Sequence, residues 1–308
     1  MNMSNANTAN DAERLEQLQH KPIGRLLWQY SLPAVVGMLV MQLYNIVDRI
    51  FIGQVVGPEA IAGLAITFPV MNIATALGTL VGAGAAARVS LFLGASQENK
   101  AQRILGNALV LTLVIGAIYI GLFAWKMDEV LCLFGANEVT LPYARDFMMY
   151  ILPGLMLTNL TFSFNNVMRA SGFPVKAMVT MFIGAGLNIL LAPTFIYVLD
   201  AGIKGAAIAT DIAMAISMVF VMQHFCRKSN GPVTFRPGIY RLDFPLIWGM
   251  IGIGAAPFVV NVGACLINIF INRALLDYGG VAAIAASGIF VTYTSMLCCI
   301  ILGICQGM

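Results

Sequence analysis

The sequence predicts an all-α, polytopic membrane protein, and three observations support this fold class. Hydrophobic residues make up 59% of the 308 residues and charged residues only 10%, whereas a soluble domain carries about 25% charged residues. The mean hydropathy is +0.85. Apolar runs of about twenty residues, the length that a helix needs to cross a hydrocarbon core, recur along the chain. Lipid must therefore solvate much of the protein surface.

Residues 1–21 precede the first apolar run and are polar and partly acidic, with Asp11, Glu13 and Glu16. They lack the basic start, the short apolar stretch and the small-residue cleavage site of a secretory signal. We therefore expect a cytoplasmic tail, with the first span acting as its own insertion signal.

Eight membrane spans are predicted from the apolar runs between charged or turn-rich breaks. They fall near residues 26–51, 60–86, 104–125, 143–167, 177–198, 205–225, 246–271 and 281–308. The first six make one lobe, 22–228, and the last two begin a second lobe, 246–308. The linker between them, 229–245, is polar and contains Pro232 and Pro237, so we expect it on the cytoplasmic side.

Basic residues orient the predicted bundle. With the N-terminus inside, twelve of the seventeen Lys and Arg residues fall on the cytoplasmic side, and five fall on the other side or its span ends. The twelve are Arg14, Lys21, Arg25, Arg88, Lys100, Arg103, Arg169, Lys176, Arg227, Lys228, Arg236 and Arg241. The positive-inside rule then predicts a multi-pass protein with a cytoplasmic N-terminus. His224, at the end of the sixth span, is expected to be solvated.

An internal repeat organises the chain. Pro33 and the pair Asp48-Arg49 in the first span recur as Pro257 and Asn272-Arg273 in the seventh, 224 positions later. Because six spans separate the copies, both enter the membrane in the same direction, as in transporters built from parallel repeats. Two complete six-span lobes would give twelve spans, so we expect the 308-residue chain, with eight, to be C-terminally truncated.

The first span carries polar residues that call for an explanation, because a charged group inside a membrane costs about 2.5–3.5 kcal/mol. Gln42, Asn45 and Asp48 fall within one arc of about 120° on a helix, with Tyr44 in the same stretch. We predict that this stripe faces a cavity in which Asp48 binds a proton or Na⁺. The alternative is a local pair between Asp48 and Arg49 at the outer interface.

Two further spans contain candidate functional residues. In the fourth span Thr158, Thr161 and Asn165 belong to a dense polar set that either lines a hydrated cavity or joins neighbouring helices. In the sixth span Asp211 has no basic residue within a turn or two, so it is protonated or faces water. Asn188, at a similar depth in the fifth span, is its nearest candidate partner.

Several classes of function are excluded by what the sequence lacks. It contains no nucleophile–base pair, and Gly78-x-x-x-Gly82 is not followed by the Lys-Ser/Thr of a nucleotide-binding loop. The six cysteines show no metal-finger spacing, and no basic patch suggests nucleic acid. We therefore expect that the protein is not an enzyme and binds no cofactor and no nucleic acid. We also do not expect transport driven by ATP.

Several segments, taken in order, resemble the multidrug and toxic compound extrusion (MATE) family, and most closely its bacterial MepA-like branch. They are Ser31-Leu32-Pro33, Tyr44-Asn45-Ile46-Val47-Asp48-Arg49, Arg169-Ala170-Ser171-Gly172, Leu187-Asn188-Ile189-Leu190 and Gly205-Ala206-Ala207-Ile208-Ala209-Thr210. The resemblance implies twelve spans in two lobes around a central cavity. It implies export of organic cations or aromatic drugs against inward H⁺ or Na⁺ flow, by a lipid-embedded monomer when full length.

The resemblance also implies roles for individual residues. Asp48 matches the family's acid for ion coupling, and Asn188 and Thr210 match polar positions of the first lobe's cavity. A Na⁺ site would then involve Asp48 and Asn188. Ala192 stands where the family commonly has a second acid, and Asp211, beside Thr210, is the candidate to replace it.

Two other functions remain open at this stage. One is a lipid-linked oligosaccharide flippase of the same superfamily, a task that favours a strongly cationic cavity for pyrophosphate. The other is an inactive membrane fragment, because four missing spans would leave half of the cavity wall absent.

Overall fold

The structure, a computed structural model, describes the backbone of residues 22–55, 58–136, 138–199, 201–227, 231, 233–236 and 238–307. Within its helices it describes no side chain at positions 44–45, 48–50, 52–55, 58–62, 268, 272–273, 275–277, 279–289, 291–292 and 306–307. All regular structure in these described ranges is helical, which confirms the predicted all-α class.

The helices follow the predicted order of spans. They are α1 (Ile23–Val55), α2 (Pro58–Gly94), α3 (Glu98–Trp125), α4 (Met127–Leu133), α5 (Leu141–Ala170), α6 (Pro174–Pro193), α7 (Gly202–Cys226) and α8 (Phe244–Gly307). A π-helical turn, Thr194–Val198, continues α6. In the described part of the chain, seven segments are long and apolar enough to cross a membrane, and Tyr293–Cys305 is a shorter apolar helix.

The turn between α5 and α6 shows how local sequence sets a helix boundary. Gly172 lies in the left-handed region with φ of 90°, a conformation that glycine adopts without a Cβ penalty. Pro174 then opens α6, where its fixed φ suits the first helical turn and its missing N–H is not needed. The chain therefore reverses within four residues, and α5 and α6 become antiparallel neighbours.

Contacts between helices define one common level of the bundle. The Met181 thioether of α6 lies against Gly37 of α1, and the neighbouring Thr180 accepts a hydrogen bond from Asn165 of α5 at 2.7 Å. Ser163, two residues before Asn165 on α5, lies against Gly82 of α2. We call the end at which α1, α3, α6 and α8 begin the basic end, and the opposite end the far end.

The described length of α8 cannot be one straight rod. Its 64 residues would extend about 96 Å, roughly three times the thickness of a hydrocarbon core. Near its start, the Met250 carbonyl lies against Gly84 of α2, and near its end Gly303 lies against Val35 of α1. Gly84 and Val35 lie close to the common level, so the chain direction reverses between these contacts. Phe244–Ile271 matches the seventh predicted span, whereas Tyr293–Cys305 is an apolar helix shorter than a full crossing, so the eighth span stays a prediction.

The described residues between α7 and α8 at positions 231, 233–236 and 238–243 form a strap that runs along the basic end. The Phe235 N–H donates to the Phe225 carbonyl at 2.9 Å, and the two rings pack with Phe164. His224 is buried (7% exposed) between the rings of Phe173 and Phe225 rather than solvated as the sequence predicted. These two rings cover it, which its position near a helix end did not reveal. The division into two lobes stays a prediction.

Exposed ion pairs mark the far end. They are Lys126–Glu129 at 2.6 Å, Arg145–Asp128 at 3.4 Å and Lys204–Asp146 at 3.1 Å. Because all six side chains are largely exposed, each pair contributes little to stability, typically about 0–1 kcal/mol. The six residues come from α4 and the turn before it, from the start of α5 and from the start of α7, and they form an exposed charged surface at this end.

Candidate functional site

A cleft opens between four helices at the common level. Its lining comes from α1, α5, α6 and α7: Met41, Thr158, Thr161, Phe162, Asn165, Met181, Gly184, Met214 and Ser217. Three of these, Thr158, Thr161 and Asn165, were predicted from the sequence as cavity residues. The enclosed space of about 40 Å³ holds about three water molecules. In this structure the cleft therefore admits water, an ion or one group of a larger ligand.

The polar atoms of the cleft are only partly satisfied. Thr158 Oγ1 donates to the Gly154 carbonyl one turn earlier at 2.8 Å, and Asn165 Nδ2 donates to the Ala177 carbonyl at 2.9 Å. Thr161 Oγ1 and Asn165 Oδ1, however, are buried and have no hydrogen-bond partner among the residues that the structure describes. A buried polar atom without a partner costs about 1–3 kcal/mol. These two oxygens are thus available to water or to a bound ligand.

Asn188 and Thr210 meet between α6 and α7. Asn188 is 1% exposed, and its Nδ2 donates to Thr210 Oγ1 at 2.8 Å. The threonine hydroxyl in turn donates to the Ala206 carbonyl at 3.0 Å. The two residues that the family resemblance selected are therefore in direct contact, while their role in ion coupling stays a prediction.

Asp211 occupies a different contact from the one that the sequence suggested. Its carboxylate lies against Gly154 of α5, where a Cβ would overlap it, and its Oδ1 is buried without a hydrogen-bond partner. Asn188 is not its partner, because that amide donates to Thr210. Successive residues of a helix point about 100° apart, so α7 presents Thr210 to α6 and Asp211 to α5. Among the described residues, no ion pair includes Asp211.

The first-span candidates are placed only in part. The side chains of Tyr44, Asn45 and Asp48 lie outside the described residues, so the predicted Na⁺ site at Asp48 and Asn188 stays a prediction. Gln42 is half-buried on α1 and is not part of the cleft lining. Across the described residues, no group of three or more His, Cys, Asp or Glu side chains could hold a metal ion.

Sequence reasoning missed Arg169 as a residue of this region. It had been counted among the cytoplasmic basic residues, but it is only 6% exposed and its Nη2 lies 2.9 Å from the Met181 sulfur. The direction in which helical side chains tilt could have revealed it. Helical side chains tilt toward the helix N-terminus, so an Arg in the last turn of α5 points back into the bundle.

Comparison with known proteins places these residues in a family. The MatE family model matches residues 33–194, more than half of the chain, including α5 and α6. The multidrug export protein MepA of Staphylococcus aureus (strain NCTC 8325 / PS 47) is 27% identical over 295 residues, which cover 96% of this chain. The chain spans about 65% of the length of the curated relatives it matches.

Solved structures share the fold at low sequence identity. The crystal structure of a MATE protein in complex with MaL6 matches with a TM-score of 0.88 and 26% identity, over 94% of this chain and 64% of that one. A MOP superfamily transporter from Pyrococcus furiosus, described as having a binding pocket of reverse polarity that suggests a different function, matches with a TM-score of 0.88 and 25% identity, over 94% of this chain and 64% of that one. With its helical bundle, its apolar spans and this family match, the chain belongs to the MatE family.

Proposed function

We propose that the protein takes part in secondary active efflux, exporting organic cations or aromatic drugs in exchange for H⁺ or Na⁺. The observation that carries the proposal is a cleft whose buried acceptor oxygens lack partners among the described residues, close to the half-buried Asp211, whose Oδ1 is buried and unpartnered in the same part of the chain. The names of the curated relatives support the substrate class. The protein acts on its ligand by moving it, without chemical conversion.

The apolar lining of the cleft suits varied aromatic ligands. Met41, Met181 and Met214 approach it from three helices, and Phe162 adds an aromatic ring. Methionine side chains are unbranched and polarizable, so they repack around ligands of different shape. Thr161 and Asn165 add oxygens that accept hydrogen bonds from the N–H groups of a ligand.

A short chain of contacts links the half-buried Asp211 to the cleft. The Asp211 carboxylate lies against Gly154, and the carbonyl of Gly154 accepts the hydrogen bond of Thr158, which lines the cleft. Taking up a proton or a cation would remove the negative charge from the contact between α5 and α7. We infer that Asp211, with Asn188, Thr210 and the predicted Asp48, couples ion flow to the shape of the cleft.

The surroundings follow from the same proposal. We place the protein in a bacterial plasma membrane with the basic end and the N-terminus in the cytoplasm, because positive residues concentrate on cytoplasmic surfaces. Lipid contacts the exposed apolar side chains, and the full-length protein acts as a monomer. Residues 22–228 and 246–308 belong to two lobes joined by a cytoplasmic linker.

The first experiment measures ethidium transport into vesicles that contain the purified protein, under an imposed pH gradient or an imposed Na⁺ gradient. We expect transport with one of these gradients, and Asp211→Asn should lower the gradient-driven rate by about tenfold or more, within the usual range of coupling energies. Asp146→Asn, which removes an exposed acid paired with Lys204, is the matched control and should keep the rate. Gradient-independent rates, or an unchanged D211N rate, would contradict the coupling role.

A lipid-linked oligosaccharide flippase is the second candidate, and buried Arg169 near the cleft is the observation that favours it. A pyrophosphate group carries several negative charges and calls for several cations around it. Competition of a lipid pyrophosphate with ethidium for the purified protein separates the two functions, because only a flippase binds the lipid in preference to the dye.

A further inference from the structure

Arg169 is a buried cation without an acid. It lies in the last turn of α5 and is 6% exposed, and its Nε and Nη1 have no hydrogen-bond partner in the described part of the chain. The remaining nitrogen, Nη2, contacts only a weak acceptor, the sulfur of Met181 at 2.9 Å. Among the described residues, no carboxylate forms an ion pair with it. Burying a charge in this way is costly, so the arrangement calls for a partner that the protein itself does not provide.

Helix capping does not account for this arginine. A cation at a helix C-terminus often satisfies the last carbonyl groups. Here the turn after α5 already provides donors, because the N–H groups of Ser171, Gly172 and Phe173 bond to the carbonyls of Val167, Arg169 and Met168. The Ser171 hydroxyl adds a second bond to the Val167 carbonyl at 2.8 Å. The guanidinium is therefore not needed to cap the C-terminal carbonyl groups of α5.

The side chain of Arg169 is directed toward the cleft. Side chains of a helix tilt toward its N-terminus, which for α5 means from the basic end toward Asn165, one turn earlier. Met181, the residue that Arg169 contacts, lines the cleft together with Asn165. The flexible Met181 thioether therefore contacts the guanidinium and also borders the space in which a ligand would lie.

We propose that Arg169 binds a carboxylate carried by the exported compound, with Met181 moving aside to admit it. This inference rests on the proposed efflux function and sharpens its substrate class to aromatic zwitterions. The guanidinium pairs with the anionic group through two parallel hydrogen bonds, while Asn165 Oδ1 and Thr161 Oγ1 accept from the N–H groups of the same ligand. Arg169 is thus a specificity-determining residue of the cleft.

A matched pair of dyes tests the proposal. Rhodamine 110 carries a free carboxylate, and rhodamine 123 is its methyl ester, so they differ at that group alone. Binding of each to the purified full chain in detergent is followed by fluorescence anisotropy. Arg169→Gln should weaken rhodamine 110 binding by about tenfold or more, the usual worth of a hydrogen bond to a charged group, and leave rhodamine 123 unchanged or tighter.

Three further variants distinguish a specific effect on carboxylate binding from a folding defect, which would weaken the binding of both dyes. Arg169→Lys retains the charge without the planar fork, so it should weaken rhodamine 110 alone, and by less than R169Q does. Met181→Ala removes the thioether and should strengthen rhodamine 110 binding selectively. Lys176→Gln removes the charge of a lysine that contacts the Phe173 ring on the outside of the bundle, and it should change neither dye.

The outcomes separate this proposal from the efflux function. Equal effects of R169Q and R169K on the two dyes, or wild-type preference for the ester, overturn the role of Arg169 even if ethidium is transported. Selective loss of rhodamine 110 binding without gradient-driven transport supports Arg169 and contradicts efflux. Binding of neither dye contradicts both.

Discussion

Two buried polar regions of the bundle differ in how fully their atoms are paired. In the first, which we call the clamp, fully buried Asn107 donates to the carbonyls of Arg103 at 2.7 Å and Arg241 at 3.3 Å. Its Oδ1 accepts from the Asp243 N–H at 2.9 Å, and the Asp243 carboxylate pairs with Arg103 at 3.2 Å. Every polar atom of the Asn107 side chain therefore has a partner, and the strap is held against α3 where α8 begins.

The cleft and its neighbour Asp211 show the opposite pattern. Thr161 Oγ1 and Asn165 Oδ1 in the cleft, and Asp211 Oδ1 beside it, are buried without a partner among the described residues, although paired hydrogen bonds surround them. Natural proteins pair nearly all buried polar groups, and the exceptions call for a reason. The comparison indicates that the clamp uses its polar atoms for structure, whereas the cleft leaves some of them for water, an ion or a ligand.

The largest effect is expected in the clamp. Asn107→Leu removes three hydrogen bonds and leaves the Arg241 carbonyl and the Asp243 N–H unpaired, so it should lower the free energy of unfolding by about 2–5 kcal/mol. Thermal unfolding in detergent measures the change. Asn99→Leu, at an exposed position near the start of the same helix, is the control and should be nearly neutral. If the N107L protein were as stable as wild type, the claim that the clamp uses its polar atoms for structure would be wrong.

A smaller effect distinguishes two threonines that lie close to each other. Thr180 Oγ1 accepts from Asn165 Nδ2 at 2.7 Å and donates to the Ala177 carbonyl at 2.7 Å, whereas Thr161 Oγ1 has no partner. Thr180→Val should cost about 1–2 kcal/mol, and Thr161→Val should be neutral or slightly stabilising. The same thermal measurement compares them. Equal losses in the two variants would mean that Thr161 is paired after all.

Much of the fold could be predicted from the sequence, because lipid demands long apolar helices. The third and fourth spans were predicted at 104–125 and 143–167, and the helices are Glu98–Trp125 and Leu141–Ala170. The second span was ended at residue 86, before Arg88, but α2 continues to Gly94. Arg88 packs against Gly249 of α8 and the Phe92 ring, so its charge is accommodated without ending the helix. The short α4 and the π-helical turn had no apolar signal of sufficient length.

Site residues could be predicted only where the position of a polar residue along its span determines that it faces the interior of the bundle. Thr158, Thr161 and Asn165 line the cleft because polar residues within an apolar span turn away from lipid. Depth did not reveal that Asp211 faces Gly154 instead of Asn188, since that depends on how α7 is rotated. The clamp joins residues more than 130 positions apart, and no local pattern signals such a contact.

The most direct test of the contrast is the water accessibility of single cysteines, introduced after the six native ones are replaced. A water-soluble methanethiosulfonate reagent is applied to membranes that contain T161C, N165C or N107C, with and without ethidium. Our account predicts that T161C and N165C react, that ethidium protects them, and that N107C does not react. Inert cleft cysteines, or an N107C that reacts as fast as T161C, would contradict it.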